Sequence, residues 1–237
     1  YGDLRDLAAG IAATIEAHAA SGSPVAVYAR RNVSAYAGLL GGTLLGCGYV
    51  PLNPKHPNPR VAKMIGLSGV RSVIVDEAGE RDIDELVTER RLVWVLPHRD
   101  DVSDLEARWP GHSWVGRDGL VDPAGWTPPE TRASEIAYVI FTSGSTGHPK
   151  AVVIEQRNVT AFLDACHRDA GFDSTDRFSQ VFELSFDGAA WDIWNALEIG
   201  ATICVPSDFD LLKPHEYINR ERLTNWCFVP SMAGIMQ

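Results

Sequence analysis

The sequence predicts an α/β fold of mostly parallel sheets flanked by helices, and three observations carry that expectation. Short runs of β-branched, aliphatic and aromatic residues recur along the chain. Between them lie segments, several of about 10–15 residues, whose apolar positions repeat at helical spacing. Strands that alternate with helices in this way pair in parallel through right-handed crossovers. Apolar residues make up 45% of the 237 positions, enough to fill a real core.

Taken in order, residues 4–20 are rich in Ala, Leu and Ile at helical spacing, and SGSP at 21–24 ends the pattern before a β-type run at 25–28. A helix is expected over 33–45, extended chain in YVPLNP at 49–54, a helix over 59–67 and a strand over 72–76. A charged helix over 81–91 leads to LVWVLP at 92–97, and a short helix is expected over 101–109. Residues 110–134 are dominated by Gly, Pro, Asp and Trp without a sustained period, so they read as a long surface connection. The alternation resumes with AYVIF at 137–141 and AVVIE at 151–155. Helix 158–170, strand 177–182, helix 188–199, strand 201–206, helix 214–223 and strand 226–229 complete it.

Charge narrows the function. With 21 basic and 31 acidic residues the formal net charge is −10, so the attraction that drives phosphate-backbone binding has no global field behind it. Nucleic acid is not an expected partner. The apolar stretch 36–50 is interrupted by Gly41, Gly42, Thr43 and Gly46 and falls short of the roughly 20 residues of a membrane helix, so no membrane partner is expected either. Cys47, Cys166, Cys204 and Cys227 are widely spaced and form no CxxC pair, which suits reduced thiols. The opening YGDLRDLAAG lacks the ordered regions of an export signal, and the expected compartment is the cytoplasm.

The most informative stretch is TSGSTGHPK at 142–150, directly after a strand. Thr142, Ser143, Ser145 and Thr146 supply hydroxyl donors, Gly144 and Gly147 let the backbone turn its N–H groups inward, and Lys150 supplies charge. Such a loop suits a polyphosphate. On composition alone an ordinary Gly/Ser turn explains it equally well. Its order is neither GxxxxGK[ST] nor GxGxxG, and it contains no GxSxG nucleophile elbow.

This loop, FTSGSTGHPKAV with its flanks, resembles the signature of the adenylate-forming superfamily, and specifically the amino-acid adenylation domains of nonribosomal peptide synthetases, which read close to YTSGSTGKPKGV. Four further blocks agree in order: YGDL at 1–4, LLGCGYVPLNPKHPNPRVAKMI at 44–65, FELSFDGAAWDIWNAL at 182–197 and CFVPSM at 227–232. The resemblance covers essentially the whole chain.

It implies that the loop folds over the β- and γ-phosphates of ATP while a substrate carboxylate attacks the α-phosphate, with Mg²⁺ neutralising charge. The implied phosphate contacts are Thr142, Ser143, Ser145, Thr146 and Lys150, with Gly144 and Gly147 as pivots and Thr142 and Lys150 as the catalytic pair. No protein nucleophile is required. Two positions depart from the family pattern: His148 stands at a variable site, and Ala151 replaces a usual Gly, which would restrict the backbone where loop meets strand.

For the substrate, the resemblance implies that Phe186 lies near the reacting carboxylate, that Asp187 pairs with the α-ammonium of an amino acid, and that Gly188 and Trp191 line the pocket. Asp187 also suits a helix N-cap, and the two roles are compatible. No protein-held metal site is expected. Trp94, Trp109, Trp114 and Trp126 read as core or loop anchors, and His215, Arg220 and Arg222 as a solvated helix face.

The resemblance thus implies the N-terminal portion, residues 1–237, of the large adenylation (AMP-binding) subdomain, with the C-terminal subdomain and its contacts supplied elsewhere. The implied product is an aminoacyl adenylate destined for a peptidyl carrier protein thiol. Two alternatives stand beside it: a ligase for another carboxylic acid of the acyl-CoA synthetase type, and a noncatalytic module that retains the fold.

Overall fold

The computed structural model describes residues 1–19, 22–143 and 149–230, and divides them between two compact units, Tyr1–Arg157 and Asn158–Gln237. Elements are numbered in chain order.

The first unit runs α1 (Gly2–His18), β1 (Val25–Tyr28), α2 (Val33–Leu44), β2 (Tyr49–Leu52), α3 (Asn58–Ser68), β3 (Ser72–Val75), α4 (Glu77–Glu80), α5 (Ile83–Leu86), β4 (Val93–Leu96), α6 (Ser103–Arg108), β5 (Ser113–Gly116), β6 (Ile136–Ser143) and β7 (Pro149–Glu155). The strands form one sheet in the order β5-β4-β3-β1-β2-β6-β7. Every pairing is parallel except β6 with β7, because the residues joining those two are too few for a crossover helix.

The central strands are buried on both faces, as a parallel sheet requires. Ala26, Tyr28, Val73 and Val75 face the side where Val61 and Met64 of α3 pack. Val27 and Ile74 face the opposite side, where their methyl groups approach Gly38 of α2. Trp94, fully buried on β4, stacks on Trp114 of β5 at 5.4 Å, and its indole N–H donates to Nδ1 of His112 at 3.3 Å. Burial holds the His112 imidazole below its ordinary range, in keeping with an Nδ1 that accepts from Trp94 and from the Leu92 amide. Trp109 donates to Asp84 and Trp126 to Glu16, so the tryptophans are core and loop anchors as expected.

The second block read from the sequence, LLGCGYVPL, is a positioning device. Gly48 has φ +72°, and a Cβ there would stand 2.5 Å from the carbonyl oxygen of Ile136 and 2.7 Å from that of Ala137. β2 can therefore lie against β6, the strand that carries Thr142, only because residue 48 has no side chain. Gly48→Ala is expected to destabilise this unit by about 2–5 kcal/mol, the cost of a left-handed alanine plus overpacking against backbone. The midpoint of denaturant unfolding checks this, and an unchanged midpoint would remove Gly48 from the argument.

The second unit contains most of α7 (Gln156–Ala170), then β8 (Arg177–Ser179), α8 (Asp187–Glu198), β9 (Thr202–Cys204) and α9 (Pro214–Glu221). β8 and β9 pair in parallel. Phe178 of β8 packs with Ala196 of α8, Ala201, Phe172 and Trp191. On the other face Cys204, Val181 and Tyr217 of α9 form a separate cluster, where the Tyr217 hydroxyl donates to the Cys204 carbonyl at 2.6 Å.

Four expectations are corrected. The helix expected over 81–91 shrinks to the four residues of α5, and a separate four-residue helix, α4, precedes it. Asp76 caps α4 through the Gly79 amide at 2.8 Å, and after Ile83 and Leu86 bury, residues 88–91 offer nothing apolar to extend a helix. The connection 110–134 contains β5 and a 3₁₀ turn, Arg117–Gly119, since Trp114 and Val115 bury against β4 although SWVG is too short to show a period. Residues 226–229 form no strand: Asn225 makes one isolated bridge to Phe178 and the ladder stops. Arg220 is not simply solvated, because it pairs with buried Asp210 at 2.7 Å and so draws that carboxyl below the ordinary carboxylate range.

Candidate nucleotide and substrate sites

The phosphate-loop candidate sits on the β6–β7 hairpin. Antiparallel register places Thr142 directly opposite Lys150 and Ser143 opposite Pro149. Directly opposed residues share a face, with Cβ atoms about 5 Å apart. Thr142 and Lys150, both exposed, thus stand side by side where the two strands open into the loop. The other face of β6 is anchored by Val139 and Phe141, buried in the core with Val61 and Met64. A hydroxyl and an ammonium on directly paired strand positions can both be presented to one anion.

Gly144, Ser145, Thr146, Gly147 and His148 lie outside the described residues, as does the side chain of Ser143. Ala151 pairs with Phe141 inside regular β7, and its φ is not positive, so the backbone there has no need of a glycine.

The substrate candidate sits at the start of α8. Phe186 is the N-cap and is 59% exposed. Its amide donates to the Glu183 carbonyl at 2.9 Å, a tight turn that aims the chain into the helix. Asp187 is the first helical residue, exposed, with Oδ1 accepting from the Gly188 amide at 2.9 Å. It therefore interacts with the helix N-terminus from inside the first turn rather than as the N-cap itself. Trp191 lies one turn further on, its ring packed against Phe178 at 5.6 Å and edge-on to Phe172 at 6.0 Å, and its carbonyl accepts from Asn195 Nδ2 at 2.8 Å. Phe186, Asp187, Gly188 and Trp191 are thus brought together on two helical turns, with Trp191 held rigidly by an aromatic cluster.

Two residues of this unit escaped the sequence reading. Phe182 lies beyond the end of β8, with its ring against Gly188. Asp192 is fully buried in the middle of α8, and neither carboxylate oxygen has a hydrogen-bond partner among the described residues. The signal for the second was legible: Asp192 takes a position in the apolar row formed by Ala189, Ile193 and Ala196. Among the described residues no group of three or more His, Cys, Asp or Glu is arranged to hold a metal, and no helix is long and apolar enough to cross a membrane.

This fold is that of the N-terminal subdomain of adenylate-forming enzymes. A family model described as AMP-binding enzyme matches residues 1–236, and the chain belongs to that family, covering its N-terminal part. It is 30% identical over 239 residues to a D-alanine–D-alanyl carrier protein ligase of Bacillus velezensis, an alignment covering 98% of this chain and 43% of the relative. It is 32% identical over 206 residues to syringomycin synthase SyrB1 of Pseudomonas syringae pv. syringae, covering 86% of this chain and 30% of the relative. The chain spans less than half the length of these relatives. For the fold alone, the adenylation domain AlmE of Vibrio cholerae, solved with glycyl-adenosine-5'-phosphate, superposes with a TM-score of 0.86 at 24% identity, covering 98% of this chain and 44% of that one.

Proposed function

We propose that the protein activates an amino acid: its carboxylate oxygen attacks the α-phosphorus of ATP, the bond to pyrophosphate breaks, and an aminoacyl adenylate forms for transfer to a carrier-protein thiol. The observation that carries this reading is Asp187, an exposed carboxylate on the first turn of α8, flanked by Phe186 and Gly188. A carboxylate there has a partner to gain in an α-ammonium, and an acid lacking the amino group gives it none.

In this reading Lys150 and Thr142 hold the phosphate oxygens. The glycine-rich residues 144–147 wrap them, Asp187 orients the amino acid, and Phe186, Gly188 and Trp191 border it. Positioning and charge neutralisation supply the rate enhancement, as is general where phosphorus is the electrophile. Among the described residues no three His, Cys, Asp or Glu side chains are grouped around one point, and no step is assigned to the Mg²⁺ that the resemblance implies. The carrier protein and the C-terminal portion of the domain, with the adenine contacts, complete the system. The relative named for a carrier-protein substrate, the D-alanine–D-alanyl carrier protein ligase, supports this reading.

Amino-acid-dependent ATP–pyrophosphate exchange by the full-length protein, measured across a panel of amino, aryl and aliphatic acids, tests the proposal. Stimulation by one amino acid or a narrow group is expected. Exchange driven only by acids without an α-amino group, or none at all by folded protein, would overturn it.

A further inference from the structure

Gly188 has no side chain, yet the space beside it is not empty. A Cβ built there would lie 2.7 Å from Cδ2 of Phe182 and 2.8 Å from its Cε2 and Cγ, inside any permitted contact. The ring thus already fills the volume that another residue at 188 would claim. It is held in place from two directions. Fully buried Gln180 donates from Nε2 to the Phe182 carbonyl at 2.6 Å, and the ring packs on the cluster of Val181, Cys204 and Tyr217. Phe182 and Gly188 both keep partial exposure, and the exposed carboxylate of Asp187 immediately precedes Gly188. An aromatic ring therefore lies against the helix position that directly follows the residue proposed to anchor the substrate ammonium.

Resting on the function proposed above, we propose that Phe182 is a specificity-determining residue, whose ring sets an upper limit on the size of the amino-acid side chain accepted beside Asp187. The wall close to the α-carbon comes from the chain after β8, and Gly188 is the concession that lets that ring approach α8. The chemical class selected is a small α-amino acid whose side chain meets an aromatic face. A branched or aromatic side chain competes with the ring for the same volume.

The test compares kcat/KM for pyrophosphate exchange with small and large amino acids in the full-length wild type, Phe182→Ala, Gly188→Ala and the double variant. Phe182→Ala is expected to shift the large-to-small ratio by tenfold or more toward the large, a range typical of one or two methylene groups in a closed pocket. Gly188→Ala alone is expected to lose activity with every substrate, and Phe182→Ala is expected to restore it in the double variant because ring and methyl claim one volume. If Phe182→Ala does not fold, Phe182→Leu keeps the contact with Val181 and Tyr217 and is expected to shift the ratio in the same direction. An unchanged ratio in a folded Phe182 variant, with wild-type exchange intact, overturns the inference and leaves the proposed function standing. Wild type that exchanges with no amino acid overturns both.

Discussion

Asp187→Asn in the full-length protein is expected to lower kcat/KM for the activating amino acid by about 10²–10⁴-fold in pyrophosphate exchange, with KM for ATP changed only a few-fold. The magnitude follows from what the substitution leaves behind. Asn has the shape of Asp, so the pocket survives, but an ammonium removed from water then lacks its counter-charge. Losing one member of a desolvated pair costs about 3–5 kcal/mol, and each 1.4 kcal/mol is a factor of about ten. The fold should barely notice. Asp187 lies exposed in the first turn of α8, where its charge and its bond to the Gly188 amide contribute about 1 kcal/mol at most. Stability and activity are therefore expected to separate. A des-amino analogue of the preferred substrate supplies the decisive comparison, since it brings no ammonium to pair. If Asp187→Asn penalised the analogue as heavily as the amino acid, the carboxylate would be acting on helix geometry and the pairing role would be lost.

The sequence made the alternation legible because strands and helices here differ in both length and period. Val25–Tyr28 and Ser72–Val75 are dense runs of residues that fit a doubly buried strand, bounded by turn formers. It failed where a short element is decided by a distant partner. SWVG has no period of its own, and only the stacking of Trp114 on Trp94 and the register with β4 make it a strand. The converse holds for residues 226–229, whose apolar composition suits a strand that the structure does not extend beyond Asn225. At the sites, the pairing of Thr142 with Lys150 follows from a hairpin register that no local propensity encodes, although the residues themselves stood out as a motif. Phe182 could not be singled out, because its relevance lies in a contact with an absent side chain at position 188.

Wild-type stability is expected to fall steadily from about pH 4 to about pH 9, and Asp192→Asn to remove most of that slope. Asp192 is fully buried on α8, and neither oxygen has a partner among the described residues. Oδ1 of Asn195, one turn further along, is equally without one. Burial pushes the Asp192 carboxyl up to about 9. The titratable groups near it give it no charge to pair with. Tyr217 of α9 is raised above the ordinary phenol range by burial, and Cys227 is raised by burial and by the Asp192 and Asp187 charges, so both stay neutral over the same interval. In the unfolded chain Asp192 ionises near 3.8, the ordinary value for an aspartate. Between these limits the folded protein holds a proton that the unfolded chain has released, so the free energy of unfolding decreases by roughly 1 kcal/mol per pH unit. Its contribution is fully present below pH 4 and lost as pH rises toward 9. Asp210 works in the opposite sense. Held low by Arg220 and Ser207, its contribution is present above the unfolded pKa and fades only in acid. Asparagine at 192 carries no charge at any pH, and whatever its amide costs when buried is independent of pH. The variant and wild type are therefore expected to diverge with rising pH, by several kcal/mol between pH 4 and pH 8, in denaturant titrations run across that range. Parallel profiles would mean that Asp192 finds a partner in the folded protein, and α8 would then carry Asp187, Gly188 and Trp191 without the burden of a buried acid beneath them.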